Sequence, residues 1–144
     1  MPEKYIVACD GSPASERALN FAVAHARTTG ASILVAHVLE WSPYSFLTPE
    51  ELEERHKRRG EELERANKAM LDPLVKSASD KGVKVDAVIK YGHVAETLAE
   101  IADKEGATQM FIGRTGHSSI AARVFGSVAV IMAQIAPIPC TIVP

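Results

Sequence analysis

This 144-residue chain is poor in the features that announce most nucleotide, metal or membrane chemistry. No apolar run approaches the roughly 20 residues that cross a bilayer, so no membrane-spanning helix is expected. There is no GxxxxGK(S/T) loop and no GxGxxG after the first apolar run, which excludes the P-loop and dinucleotide-binding fingerprints. Charge of one sign is not in excess: 16 Lys and Arg face 18 Asp and Glu, a formal net charge of −2. That balance gives no electrostatic reason to expect nucleic acid or an anionic membrane as partner. Only two cysteines occur, Cys9 and Cys140, each inside an apolar run and without CxxC spacing. They read as buried reduced thiols rather than a metal or redox pair. The five histidines, His25, His37, His56, His93 and His117, form no HxxxH spacing, so no metal site is expected. The opening "MPEKYIVACDG" lacks the basic segment and long apolar stretch of a signal peptide. A cytoplasmic protein is the expectation.

What is present is an ordinary globular composition, 47% hydrophobic and 24% charged, on a length that suits one core. A single domain over residues 1–144 is expected. "KYIVAC" (Lys4–Cys9) and "SILVAHV" (Ser32–Val38) are continuously apolar, as strands covered on both faces are. Between them Ser12-Pro13 opens a helix with Leu19, Ala22, Val23 and Ala26 on its apolar face, and Gly30 closes it. A charged helix is expected from about Thr48-Pro49 to Asp80, with Leu52, Leu63, Ala66, Met70 and Leu74 as its stripe. Gly60 and Pro73 are expected to bend or interrupt it. "VKVDAVIK" (Val83–Lys90) alternates like a half-exposed strand, and a helix with Val94, Leu98, Ile101 and Ala102 follows. "TQMFIG" and "CTIV" are the fourth and fifth strands, joined by a helix starting near Gly126. This β-α alternation predicts a doubly wound, five-stranded parallel α/β sheet with helices on both faces. A response regulator would carry an aspartate after the third strand; Lys90-Tyr91-Gly92 stands there instead.

In open α/β sheets, ligands bind beyond the carboxyl ends of the strands where the strand order reverses. Two turns qualify: "CDGSP" after the first strand, and "GRTGHSSIAARVFGS" (Gly113–Ser127) after the fourth. If strands one and four are neighbours, both turns meet at one crevice. Gly113 and Gly116 allow positive φ and close approach of a ligand to the backbone. Gly126 and Ser127 sit at a helix start, whose free N–H groups attract phosphate. The same glycines also serve tight turns, and Ser127 also serves as a plain cap. Asp10 fits a ribose or metal contact, or a turn aspartate capping "GSP".

The spacing Gly113-x2-Gly116-x9-Gly126-Ser127 matches the G-2x-G-9x-G-(S/T) motif. With "VACDGSPASERAL", "ILVAHV", "GHVAETLAEIADKEGATQMFIG" and "IAPIPCTIV", the chain resembles the universal stress protein family, in its ATP-binding branch, over nearly its whole length. The resemblance implies an adenine nucleotide alpha hydrolase-like sheet of order 3-2-1-4-5. It implies a homodimer formed through the C-terminal strand, and ATP with Mg2+ at the ends of strands one and four. By the family pattern Asp10 lies near ribose and phosphates with Ala8 and Cys9 beside it, and the backbone of Val38 contacts adenine. Ile112 and Gly113 line the nucleotide; Gly116, Gly126, Ser127 and Val128 hold the phosphates. Arg114 and His117 occupy positions that vary in the family, and Arg114 either adds a phosphate contact or points to solvent. The implied function is a nucleotide-responsive stress or regulatory dimer with an unknown protein client, at most a slow ATPase. Among Asp10, Arg114 and His117 none is placed as a clear base for hydrolysis. The alternative is a dimeric partner-binding stress protein that does not use nucleotide.

Two further stretches are weighed on the residues alone. "RHKRR" (Arg55–Arg59) is surrounded by glutamates and reads as a solvated helix face with i,i+4 pairs rather than a nucleic-acid patch. Trp41, Tyr44 and Phe46, in the irregular stretch before the charged helix, either close over a nucleotide as a lid or pin the loop to the core.

Overall fold

The apolar runs pair edge to edge in one sheet. A computed structural model describes residues 3–39, 49–115 and 127–144; of the side chains from 49 to 67 it describes those of Lys57, Glu61 and Arg65, and it leaves out that of Ser127. The elements are β1 (Lys4–Ala8), α1 (Pro13–Thr29), β2 (Ser32–Leu39), α2 (Pro49–Asp80), β3 (Val85–Tyr91), α3 (Val94–Lys104), β4 (Gln109–Gly113), α4 (Ser127–Ile135) and β5 (Cys140–Val143). The five strands are all parallel in the order β3-β2-β1-β4-β5, as expected.

That order explains which helices cover which face. From β1 to β3 the chain steps one way across the sheet; it then crosses back to β4 and continues to β5. Right-handed crossovers put helices of the two journeys on opposite faces. The side-chain alternation of the strands agrees. Tyr5, Val7, Ile33, Val35 and Phe111 pack with Leu19, Ala22 and Val23 of α1 and Leu71 of α2. Ile6, Leu34, Ala36, Met110 and Ile112 pack with Leu98 and Ile101 of α3 and Met132 of α4. Central strands buried on both faces are what the continuous apolar runs require.

Local signals hold where they are strong. The side chain of Ser12 accepts from the Ser15 N–H at the start of α1, Pro13 is its first residue, and Gly30 ends it at φ 77° with its N–H donating to the Ala26 carbonyl. Leu19, Ala22, Val23 and Ala26 are all buried. The expected interruption of the charged helix is not found: α2 is one helix of 32 residues through both Gly60 and Pro73. A mid-helix glycine costs only about 1 kcal/mol. The proline costs about 3 kcal/mol, but its ring is exposed and the helix is tied to the sheet on either side of it. Leu71 and Ala78 are buried, and Met70, Leu74 and Val75 pack against the same core. Packing there outweighs the one backbone bond that proline forfeits.

Candidate functional site

The sheet reverses direction between β1 and β4, which lie side by side with Val7 opposite Phe111. At the end of β1, the Cys9 N–H still donates to the Ala36 carbonyl of β2 at 2.9 Å. The chain then turns sharply. Asp10 Oδ1 accepts from the Ser12 N–H at 2.9 Å, and Gly11 adopts φ 82°, a left-handed conformation that suits glycine. The Ser12 hydroxyl accepts from the Ser15 N–H at 3.2 Å, and the Ser15 hydroxyl donates to the Ser12 carbonyl at 2.9 Å. Asp10 is thus the turn aspartate of "GSP" through one carboxylate oxygen, in a half-buried position beside the positive end of α1. The turn does not engage its second oxygen, so this role leaves room for a ligand contact.

Across from this turn, β4 ends in Ile112 and Gly113, both buried. Gly113 does not take the positive φ that its glycine suggested. Its reason is contact: a Cβ there would lie 2.9 Å from the carbonyl carbon of Ala14 and 3.0 Å from the Ala14 side chain. The first turn of α1 therefore rests on the end of β4. This contact brings the two turns singled out in the sequence to one corner. Arg114 spends its backbone N–H on the Val143 carbonyl at 2.8 Å, holding β5 to β4, and its side chain is exposed. Ser127 is the first residue of α4, and Val128 is half-buried against the α3/α4 face. Gly116, His117 and Gly126, and likewise Trp41, Tyr44 and Phe46, lie outside the described residues.

Val38 is buried on β2 beyond the end of β1. In a parallel ladder alternate residues turn both backbone groups to the same neighbour. Ala36 bonds toward β1, while Ile33 and Leu39 bond toward β3. Val38 therefore directs its N–H and carbonyl toward β1. Among the described residues the last backbone bond between the two strands is the one from Cys9 to Ala36. One residue of this corner was considered in the sequence only for metal-ligand spacing: His37. It is buried, and its Nδ1 hydrogen bonds to the Cys9 carbonyl. A lone imidazole inside an otherwise apolar strand was the available signal.

Burial favours the protonated form of both thiols. Burial, reinforced by the charges of Asp10 and Glu16, pushes the Cys9 thiol up to about 12. Burial also raises that of Cys140. Both are free, Cys9 buried and Cys140 half-buried. Among the described residues no group of three or more His, Cys, Asp or Glu is gathered to hold a metal ion. No helix among them is long and apolar enough to cross a membrane.

The family model described as the universal stress protein family matches residues 1–144. The chain belongs to the universal stress protein family. A Thermus aquaticus universal stress protein, described as lying in the QAH/OAS sulfhydrylase 3′ region, is 31% identical over 138 residues, covering 96% of each chain. Among solved structures, that of the protein MJ0577 superimposes with a TM-score of 0.85 at 23% identity, covering 99% of this chain and 96% of its own. A universal stress protein from Archaeoglobus fulgidus in complex with dAMP gives 0.69 at 22% identity, covering 100% and 98%. One from Arabidopsis thaliana with AMP bound gives 0.65 at 19% identity, covering 99% and 91%. At these identities the structural likeness carries the fold, which in this universal stress protein is the 3-2-1-4-5 sheet described above.

Two outcomes follow from this corner. Gly113→Ala should cost about 1–3 kcal/mol in urea unfolding without any ligand, the range for overpacking; unchanged stability would mean that Ala14 does not dictate the glycine. The Cys9 thiol gives a pH dependence. Its pKa is raised on folding from 9.0 to about 12, so above pH 9 the unfolded chain loses this proton first. Stability is therefore full below about pH 9 and falls as pH rises toward the folded value, by up to ~1.4 kcal/mol per pH unit. Urea unfolding between pH 8 and 10.5 should show a shallower decline in Cys9→Ala than in the wild type.

Proposed function

We infer that this universal stress protein, as one domain over residues 1–144, binds an adenine nucleotide at the carboxyl ends of β1 and β4. The observation that carries the reading is the Gly113–Ala14 contact. It joins the Asp10 turn to the end of β4 where the strand order reverses, the place where open α/β sheets take ligands. Relatives in fold described with dAMP and with AMP bound support an adenine nucleotide as the ligand class. The intact glycine motif favours ATP with Mg2+ as the form bound. In this reading Ala8, Cys9 and Asp10 lie beside the ribose and phosphates. Val38 offers its backbone to the base, and Ile112 and Gly113 line the nucleotide. Gly116, Gly126, Ser127 and Val128 hold the phosphates, because the start of α4 presents unpaired N–H groups to an anion. Arg114, with an exposed side chain, and His117 are the variable members of this set.

The chemistry is binding rather than efficient turnover, since hydrolysis needs a group that positions water and none of Asp10, Arg114 and His117 reads as a clear base for it. The protein acts in this reading as a cytoplasmic, nucleotide-responsive stress or regulatory module toward a protein client. It forms a homodimer through β5. That strand lies at the sheet edge, an arrangement that invites strand pairing. Ile142 on β5 and Val130, Ile131 and Ile135 on α4 are exposed apolar side chains. A surface of this character marks an interaction site.

Calorimetry on the purified protein should show ATP binding in the presence of Mg2+. Gly126→Asp puts a negative charge into the phosphate end. Losing even a few charge-assisted hydrogen bonds at roughly 1.5–3 kcal/mol each weakens binding ten- to a hundredfold or more. Ser127→Ala should cost less, because the amides remain. A wild type that binds no adenine nucleotide would leave the nucleotide-free, partner-binding reading in its place. Sedimentation should give a dimer at micromolar concentration, and removal of residues 140–144 a monomer or aggregate; a monomeric full-length chain removes the dimer.

A further inference from the structure

His37 is buried, at 6% exposure, near the carboxyl end of the strand that carries Val38. Its Nδ1 is bonded to the Cys9 carbonyl. A carbonyl oxygen only accepts, so Nδ1 carries the proton, and Nε2 is an acceptor in the neutral ring. That second nitrogen is buried and has no partner among the described residues. Burying a polar atom unpaired is costly, so the imidazole is not at this position for its own hydrogen-bond economy. Its one bond, to Cys9, is what it contributes.

The position of that bond matters. The Cys9 carbonyl is the group that the next rung of the β1–β2 ladder would use: after the Cys9 N–H has donated to Ala36, the Val38 N–H is next in line to donate to Cys9. His37 occupies that acceptor instead. We propose that His37 is a positioning residue that ends the β1–β2 ladder one rung early and thereby leaves the N–H and carbonyl of Val38 as a backbone edge for reading the base. The proposal rests on the nucleotide-binding reading above. A backbone carbonyl asks for a donor. Adenine presents its amino group, whereas guanine carries a carbonyl at the matching position. The free edge therefore selects adenine over guanine, and His37 sets that selectivity without touching the ligand.

The test has a ligand-free arm and a binding arm. In nucleotide-free wild type, NMR should show the Nδ1–H form of His37 and an amide of Val38 that exchanges at least tenfold faster than those of Ala36 and Leu39. In His37→Leu the freed Cys9 carbonyl takes the Val38 N–H, and that amide should slow at least tenfold. His37→Asn, whose side-chain amide can donate from the place of Nδ1, should keep it fast. In the binding arm, the ATP-over-GTP preference should fall at least tenfold in His37→Leu and be kept in His37→Asn. A purely structural role would lower stability and weaken both nucleotides equally. The proposal is overturned if Val38 is as protected as its neighbours in the wild type, if Nδ1 carries no proton, or if His37→Leu keeps the preference for ATP. The first two measurements need only the wild type, so they decide even if His37→Leu does not fold. A wild type that binds neither nucleotide overturns the functional reading, while the exchange result tests the ladder independently.

Discussion

The seating of the α1 N-terminus on Gly113 is the contact on which this corner depends. A parallel sheet whose strand order reverses must open a gap between the turns leaving its two central strands. Here the gap is bridged by backbone: Ala14 lies so close to Gly113 that a single added carbon would collide with it. Because both sides of the contact are backbone or Cβ, it cannot relax by a change of rotamer. It fixes the height of α1 over β4 and so the position of the Asp10 turn relative to the start of the Gly113–Ser127 segment. The Ser12 and Ser15 hydrogen bonds then lock that first turn from within.

The fold was legible wherever physical chemistry leaves one local solution. Continuous apolar runs, and for β3 an alternating one, placed all five strands within a residue or two of their observed ends, and Ser12-Pro13 and Gly30 bounded α1 because caps and αL glycines act locally. The order 3-2-1-4-5 was a different kind of knowledge. It came from likeness to a family, since periodicity alone does not say which strand neighbours which. Pro73, through which α2 runs without interruption, shows the opposite limit. A helix breaker is a local argument, and Leu71 and Ala78 outvote it through contacts with the sheet that no window of sequence displays.

Gly113 is instructive because one of the two reasons for singling it out, a positive φ, is not what the structure shows. Glycine answers two distinct needs, a left-handed φ and the absence of a side chain, and sequence does not distinguish them. Gly11 serves the first and Gly113 the second. A similar ambiguity hid His37. Buried histidine in a strand is ordinary packing in most settings, and its partner, the Cys9 carbonyl, lies at the end of the neighbouring strand and 28 residues away in sequence. Asp10 resolves in the other direction: the bland role of turn cap is present, and it occupies one oxygen without using up the group.

A corner made this way is built mostly from main chain. Its ladder ends at Ala36 and Cys9, its turn is held by the Ser12 N–H, and its open groups belong to Val38. Such a site demands little of most side chains. It demands small ones where backbones touch, and a few polar ones that redirect backbone bonds. That accounts for the small residues Gly113 and Ala14 where the two elements meet. It also explains the electrostatics of Cys9. The thiol is buried, so burial dominates its shift and the nearby carboxylates of Asp10 and Glu16 only add to it.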